Sequence, residues 1–176
     1  METNASYPIG KFEKPDVITR EDLSNWIETI ARFPRNLEKE VSTLSPAQLD
    51  TPYRTDGWTV RQVVHHCADS HMNAFIRLKL TLTESNPVIK PYHQALWAEL
   101  PDSAMPVEPS LNLLTGLHQR LSKLLESLDE EGLNRTYTHP EHGRQIPVRE
   151  VAGMYAWHCN HHLAHITRLK QKNGWE

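Results

Sequence analysis

Cysteine is scarce in this chain: only Cys67 and Cys159 occur among 176 residues. Both fall in stretches with helical patterning, so a disulfide framework is not expected and both thiols should be reduced. No stretch approaches the roughly 18 consecutive apolar residues that a membrane span requires. The first thirty residues lack the charged start, apolar run and small-residue cleavage site of a secretory signal, which leads to the expectation of a cytoplasmic protein. Charge of neither sign dominates. Nineteen Lys and Arg stand against 22 Asp and Glu, for a net charge of −3, and the basic residues are scattered, so no basic field is offered to nucleic-acid phosphates. The seven glycines build no phosphate-binding loop or dinucleotide fingerprint, and no serine or cysteine nucleophile motif is present. No Gly/Ser-rich linker or composition break divides the chain, and its length suffices for a sizeable core, so residues 1–176 are read as one domain.

Histidine, in contrast, is plentiful, with 11 copies. His158 and His162 lie four residues apart, which on a helix stacks them on one face where two imidazoles can close on one metal ion. Val148, Val151, Tyr155, Ile166 and Leu169 recur on that same face at the spacing of an inward-turned amphipathic helix. His158, His162 and His165 therefore interrupt an apolar stripe. A buried imidazole without a partner costs roughly 1–3 kcal/mol, so these rings must be hydrogen-bonded or must ligate something. The preponderance of histidine over cysteine steers any metal site toward nitrogen ligands.

Four long helical patterns run along the chain. The first 17 residues, punctuated by Pro8, Gly10 and Pro15, are expected to be extended. A helix is predicted from about Arg20 to Ser42, opened by a Thr19/Asp22 capping box and kinked near Pro34. Ser45, Pro46 and Gln48 signal a short helical turn. A second long helix follows Trp58-Thr59, with Gln62 completing the cap, and ends near Thr83. Residues 85–110 carry five prolines (87, 91, 101, 106 and 109) and form a long connection with a helical turn around Gln94 to Leu100. The third helix is read from Ser110 to about Leu128 on its leucine stripe. Arg135 to His139 and Arg144 to Ile146 flank Pro140-Glu141-His142-Gly143 as a small hairpin. The fourth helix begins at Pro147 or Val148 and stops at Asn173-Gly174. The expected fold is all-α: an antiparallel four-helix bundle with a long crossover connection and a small hairpin.

Two imidazoles leave a tetrahedral ion half coordinated, so a third ligand must come from another helix. The second helix offers His65, His66 and His71. Against the stripe of Val60, Val63, Val64, Cys67, Ala74 and Leu78, His71 falls near the centre and His66 at one edge, and periodicity does not select between them. Gly57-Trp58-Thr59-Val60-Arg61-Gln62-Val63-Val64-His65-His66 resembles the opening of the metal-bearing helix of the DinB superfamily, in which a histidine lies eight residues after the tryptophan. The last helix is similar too, with His158 and His162 at that superfamily's histidine pair, although Leu163-Ala164-His165 stands where many members have Arg-Gly-Gln. Ser6 to Gly10, Gln48 to Arg54, Trp58 to His71 and Trp157 to Ile166 resemble the YfiT-like branch, associated with metal-dependent hydrolysis and with bacillithiol S-transfer. The resemblance implies a homodimer with one divalent ion per chain, held by His66, His158 and His162.

Three neutral imidazoles leave a divalent ion its full charge and an open position, as in catalytic zinc sites. Such an ion can bring a bound water to a pKa near 7 or bind a thiolate, so a hydrolase with a small-molecule substrate and a transferase using a low-molecular-weight thiol share one chemistry. Zinc is the default, with nickel, iron or manganese compatible with the same ligands. Asp69, one turn after His66, is a candidate acceptor for a ligand-ring hydrogen bond, or else a solvated helix-face acid. His161 and His165 are candidate proton-shuttling groups or satisfied core histidines. Arg54 and Arg77 suit a substrate carboxylate or a surface salt bridge. The proline-rich connection and the hairpin near His139 are the expected walls of a substrate pocket. Two other functional classes stay open: a non-catalytic metal or small-molecule binding protein, and a plain bundle whose surface mediates assembly.

Overall fold

Three reciprocal capping boxes start the helices where side-chain oxygens can satisfy the first unpaired backbone N–H groups. In the computed structural model, which describes residues 5–141 and 143–175, Thr19 and Asp22 open α1 (Arg20–Val41), Ser45 and Gln48 open α2 (Pro46–Leu49), and Thr59 and Gln62 open α3 (Val60–Thr83). The connection that follows holds α4 (Gln94–Trp97) and a 3₁₀ turn (Pro101–Ala104). Then come α5 (Glu108–Glu126), α6 (Glu130–Asn134), the strands β1 (Thr136–His139) and β2 (Arg144–Pro147), and α7 (Val148–Asn173). Gly174 closes α7 in the left-handed conformation at φ 64°, which glycine adopts without steric cost.

The expected all-α bundle with a crossover and a hairpin is present. Two details differ. α5 starts two residues before Ser110 because Val107 supplies its first carbonyl. The short α6, which the sequence reading omitted, is capped by Asp129. α1 runs through the buried Pro34 as one helix, as expected. Position 142 of the hairpin turn and residues 1–4 of the extended start lie outside the described residues.

The direction of the helices is legible from their contacts. α1 and α7 are parallel, since Gly153 meets Trp26 and Lys170 bonds Glu40 at 3.0 Å. α3 and α7 are antiparallel: His66 lies by His162, and Tyr155 donates to the Ser70 carbonyl at 3.3 Å. α3 and α5 are parallel, with His65 at 2.7 Å from Ser110 and His71 at 2.6 Å from His118. α1 packs on α5 and α7, and α3 packs on the same two, leaving α1 and α3 on one diagonal. The order is thus up, down, down, up.

Because α3 and α5 point the same way, the chain must return the length of a helix between them, and residues 84–107 make that return. The start of the crossover bridges β1 through Val88 and Thr138, and the Arg135 guanidinium bonds the Thr81 and Glu84 carbonyls. Its end is pinned to the first turns of α3, where Gln62 donates to Ala98 and Arg61 to Met105. The main core, including Ile30, Phe33, Val63, Val64, Leu114 and Ile166, fills the bundle, while Ile89, Tyr137, Ile146 and Val151 form a second cluster under the hairpin. No helix among the described residues is long and apolar enough to cross a membrane.

Candidate metal centre

The Thr59 cap sets the start of α3, so His66 lies in its second turn and faces the middle of α7. There the Nε2 atoms of His66 and His158 stand 3.3 Å apart, and those of His158 and His162 stand 3.2 Å apart. Two nitrogens each about 2.0–2.1 Å from a tetrahedral ion are separated by about 3.3 Å. The donor set therefore fits one divalent ion, and these three residues can hold one. His66 and His162 are buried, and His158 keeps a partly accessible edge. Burial, assisted by His161, pushes the His66 pKa down to about 4. Burial also holds His158 and His162 well below the ordinary imidazole range. All three rings are neutral near pH 7, with lone pairs available to a metal.

Two other groups of potential ligands exist among the described residues. In the first, of His71, His118 and Cys159, the His71 Nδ1 to His118 Nε2 distance is 2.6 Å. That is hydrogen-bond length and too short for two ligands of one ion. Burial raises the Cys159 thiol well above its ordinary pKa, as it does Cys67, so neither is a free thiolate at neutral pH. Both cysteines are free, as expected, and buried in the packing. In the second group, His161 stacks on Trp157 at 4.5 Å between centroids and His165 stacks on Tyr53 at 3.9 Å. Those two rings belong to the walls around the trio.

A cavity of about 510 Å³ opens onto the trio, walled by Tyr7, Tyr53, Arg54, Trp58, Trp157 and His161 among others. The walls differ from expectation. Among the described residues, Gln94 alone of the proline-rich connection reaches the cavity, and none of the hairpin does. The reason is direction: the hairpin joins the C-terminal end of α3, some 15 residues beyond His66, or roughly 22 Å along the helix. Instead the N-terminal segment closes the site, tied down by the Trp157 indole donating to the Gly10 carbonyl at 3.1 Å. The loop before α3 supplies the rest. A Cβ at Gly57 would lie 2.7 Å from the Arg54 Cγ and 3.3 Å from the Tyr53 ring, so glycine there lets Tyr53, Arg54 and Trp58 gather beside His66.

Of the other candidates, Asp69 forms no side-chain hydrogen bond to the trio, and burial raises its pKa. Tyr155 is a core residue bonded to Ser70. Neither candidate arginine joins a salt bridge among the described residues: Arg54 bonds the Thr55 carbonyl and Arg77 the Lys90 carbonyl. His65 bonds Ser110 and the Met105 carbonyl, holding the crossover. His71, central on the apolar stripe, bonds the back of His158 through Nε2 to Nδ1 at 2.9 Å. His118 escaped the sequence reading, although its place between Leu114 and Leu121 put it on the buried face of α5. A larger groove of about 990 Å³ between α1, α5 and α6 contains no histidine.

A helical bundle with a convergent histidine trio beside a cavity defines a metal-site protein class. The model of the DinB superfamily matches residues 29–166, and the chain belongs to that superfamily. A Bacillus cereus protein described as a "Putative metal-dependent hydrolase" is 53% identical over 169 residues, covering 96% of this chain and 97% of its own. A Bacillus thuringiensis subsp. konkukian protein with that description is equally similar, at 53% over 169 residues. The structure of YfiT from Bacillus subtilis, described as "a probable metal-dependent hydrolase with an unusual four-helix bundle topology", superposes with a TM-score of 0.96 at 45% identity, covering 99% of this chain and 100% of YfiT. The mycothiol-dependent maleylpyruvate isomerase shares the fold at a TM-score of 0.62 and 17% identity, over 81% of this chain and 60% of its own.

Proposed function

We propose that this protein is a metal-dependent hydrolase of a small-molecule substrate, with one divalent ion, zinc in the first instance, held by the Nε2 atoms of His66, His158 and His162. The observation that carries this reading is the 3.2–3.3 Å convergence of three neutral imidazoles beside the cavity, supported by the descriptions of relatives about half identical to this chain. When bound, the ion supplies Lewis acidity that makes water a nucleophile near neutral pH.

The residues around it bind, shield and move protons. Trp58, 4.5 Å from His66 between centroids, and Tyr53 wall the trio with aromatic surface and limit its contact with bulk water. Arg54 has no carboxylate within 4 Å among the described residues, so its guanidinium is available to orient an anionic part of a substrate. Burial lowers the His161 pKa, leaving a neutral ring on the cavity wall. Its Nδ1 is buried without a partner, and a neutral imidazole on the cavity wall has one bare nitrogen able to take up a proton.

The test is turnover by zinc-loaded protein of a panel of esters and amides without any thiol, beside a parallel panel of electrophiles with several low-molecular-weight thiols. Thiol-independent hydrolysis that disappears in His158→Ala supports the reading. A zinc-dependent thioether product with no thiol-independent turnover overturns it in favour of thiol transfer. An exchange-inert metal with no turnover of either kind overturns it in favour of a binding protein.

A further inference from the structure

Among the three converging histidines, His158 has its far nitrogen held by another buried histidine, and the chain of contacts behind it has a forced polarity. It begins in α1. Pro34 has no N–H, so the Ile30 carbonyl, four residues earlier, loses its usual helical donor. That carbonyl lies 2.6 Å from the Nδ1 of His118. A carbonyl oxygen only accepts, so His118 carries its proton on Nδ1 and, being neutral, presents a bare Nε2. The His118 Nε2 is 2.6 Å from the His71 Nδ1, which must therefore be the donor. The His71 Nε2 is then bare, and it lies 2.9 Å from the His158 Nδ1, which must donate in turn. What remains at the end of the chain is the His158 Nε2, without a proton and turned toward His66 and His162.

We propose that Ile30, His118 and His71 form a positioning relay that fixes His158 in the Nδ1–H tautomer and so reserves its Nε2 lone pair for the metal. The proposal rests on the reading of the trio as a metal site. His71 and His118 are fully enclosed, each beside the Phe33 ring at 5.3 and 5.5 Å between centroids, so a charged ring there would be an unpaired buried cation. Neutrality and the carbonyl together allow one proton arrangement. Metal-ligating histidines are oriented by a partner on the other nitrogen, commonly a carboxylate or carbonyl, whose loss costs roughly 10–100-fold in metal affinity. Here two further imidazoles transmit that role from a carbonyl one ring-pair away. The relay also accounts for His71, which the sequence pattern placed at the centre of the stripe: it shapes the ligand instead of binding the ion.

The test has two parts. Long-range ¹H–¹⁵N correlation on metal-free protein labelled at histidine, with assignments from single variants, reads the tautomers directly. Nδ1–H tautomers for His71, His118 and His158 are expected, and an Nε2–H tautomer at His158 overturns the proposal. In the second part, zinc affinity is measured by chelator competition for His118→Phe and His118→Gln. Phenylalanine removes the acceptor for His71, and a 10–100-fold loss of affinity is expected, whereas glutamine keeps an acceptor and should stay within a few-fold of wild type. Wild-type affinity in the phenylalanine variant, or equal losses in both, overturns the relay. If the phenylalanine variant fails to fold, the tautomers of the wild type still decide. The metal reading fails separately: wild-type protein that binds no divalent ion at the trio, yet shows the predicted tautomers, retains the relay as a core network and loses the site.

Discussion

Gly153 of α7 lies directly against the indole of Trp26 of α1: a Cβ at this position would sit 2.9 Å from two ring carbons of that tryptophan. This contact lets the two parallel helices approach closely next to the site. Gly153→Val is expected to destabilise the protein by about 1–3 kcal/mol through overpacking. Gly116, on the exposed side of α5, has nothing within 4 Å of its virtual Cβ, so Gly116→Ala should instead stabilise by about 0.5–1 kcal/mol through helix propensity. Urea denaturation of both variants checks the pair, and equal effects would remove the packing argument.

Single alanine variants of His66, His158 and His162 are each expected to abolish stoichiometric zinc, measured by elemental analysis after dialysis. His71→Ala should retain the ion with weakened affinity, since the side chain lies behind His158 and not at the ion. Loss of zinc in His71→Ala as complete as in His66→Ala would move the site toward the centre of the stripe.

Zinc at 100 times its Kd should stabilise the protein by about 2.7 kcal/mol, a rise in Tm of roughly 5–11 °C for a chain of this size. The His158→Ala variant should show no such rise. Differential scanning calorimetry with and without a chelator reads the difference.

Acid should destabilise the metal-free protein through its buried histidines. Burial lowers His66 and His118 to about 4 in the folded state, against about 6.5 in an unfolded chain. Between those values the unfolded chain binds protons that the folded chain refuses, so stability rises with pH and is lost as pH falls from about 6.5 toward 4. Urea midpoints at pH 7.5 and 5 should therefore differ, the lower value at pH 5. An unchanged midpoint would mean that these rings are charged or solvated in the fold.

Glu150, at the start of α7, is buried at 4% exposure and paired with Arg144 of β2. Arg144→Ala should cost about 1–3 kcal/mol by stranding that carboxylate, less than a fully enclosed pair because the guanidinium is half exposed. Arg144→Ala/Glu150→Gln should recover part of the loss in the same denaturation assay.

The sequence by itself determined the parts of this protein whose causes are local. Thr19, Ser45 and Thr59 with their acidic or amide partners three residues on marked the helix starts, because capping is settled within one turn. Gly174 marked the end of α7 for the same reason. The spacing of His158 and His162 was enough to place two imidazoles together. What only the tertiary structure decided depends on groups distant in sequence. His66 and His71 differ by five positions on one helix, and which faces His162 and which backs His158 follows from how α3 crosses α7. The pocket walls were misplaced because the direction of α3 relative to the hairpin is a property of the bundle. The polarity of the His158–His71–His118 chain comes from a carbonyl freed by Pro34 on α1, 88 residues from the ring it meets, and no local pattern encodes which buried ring will find it.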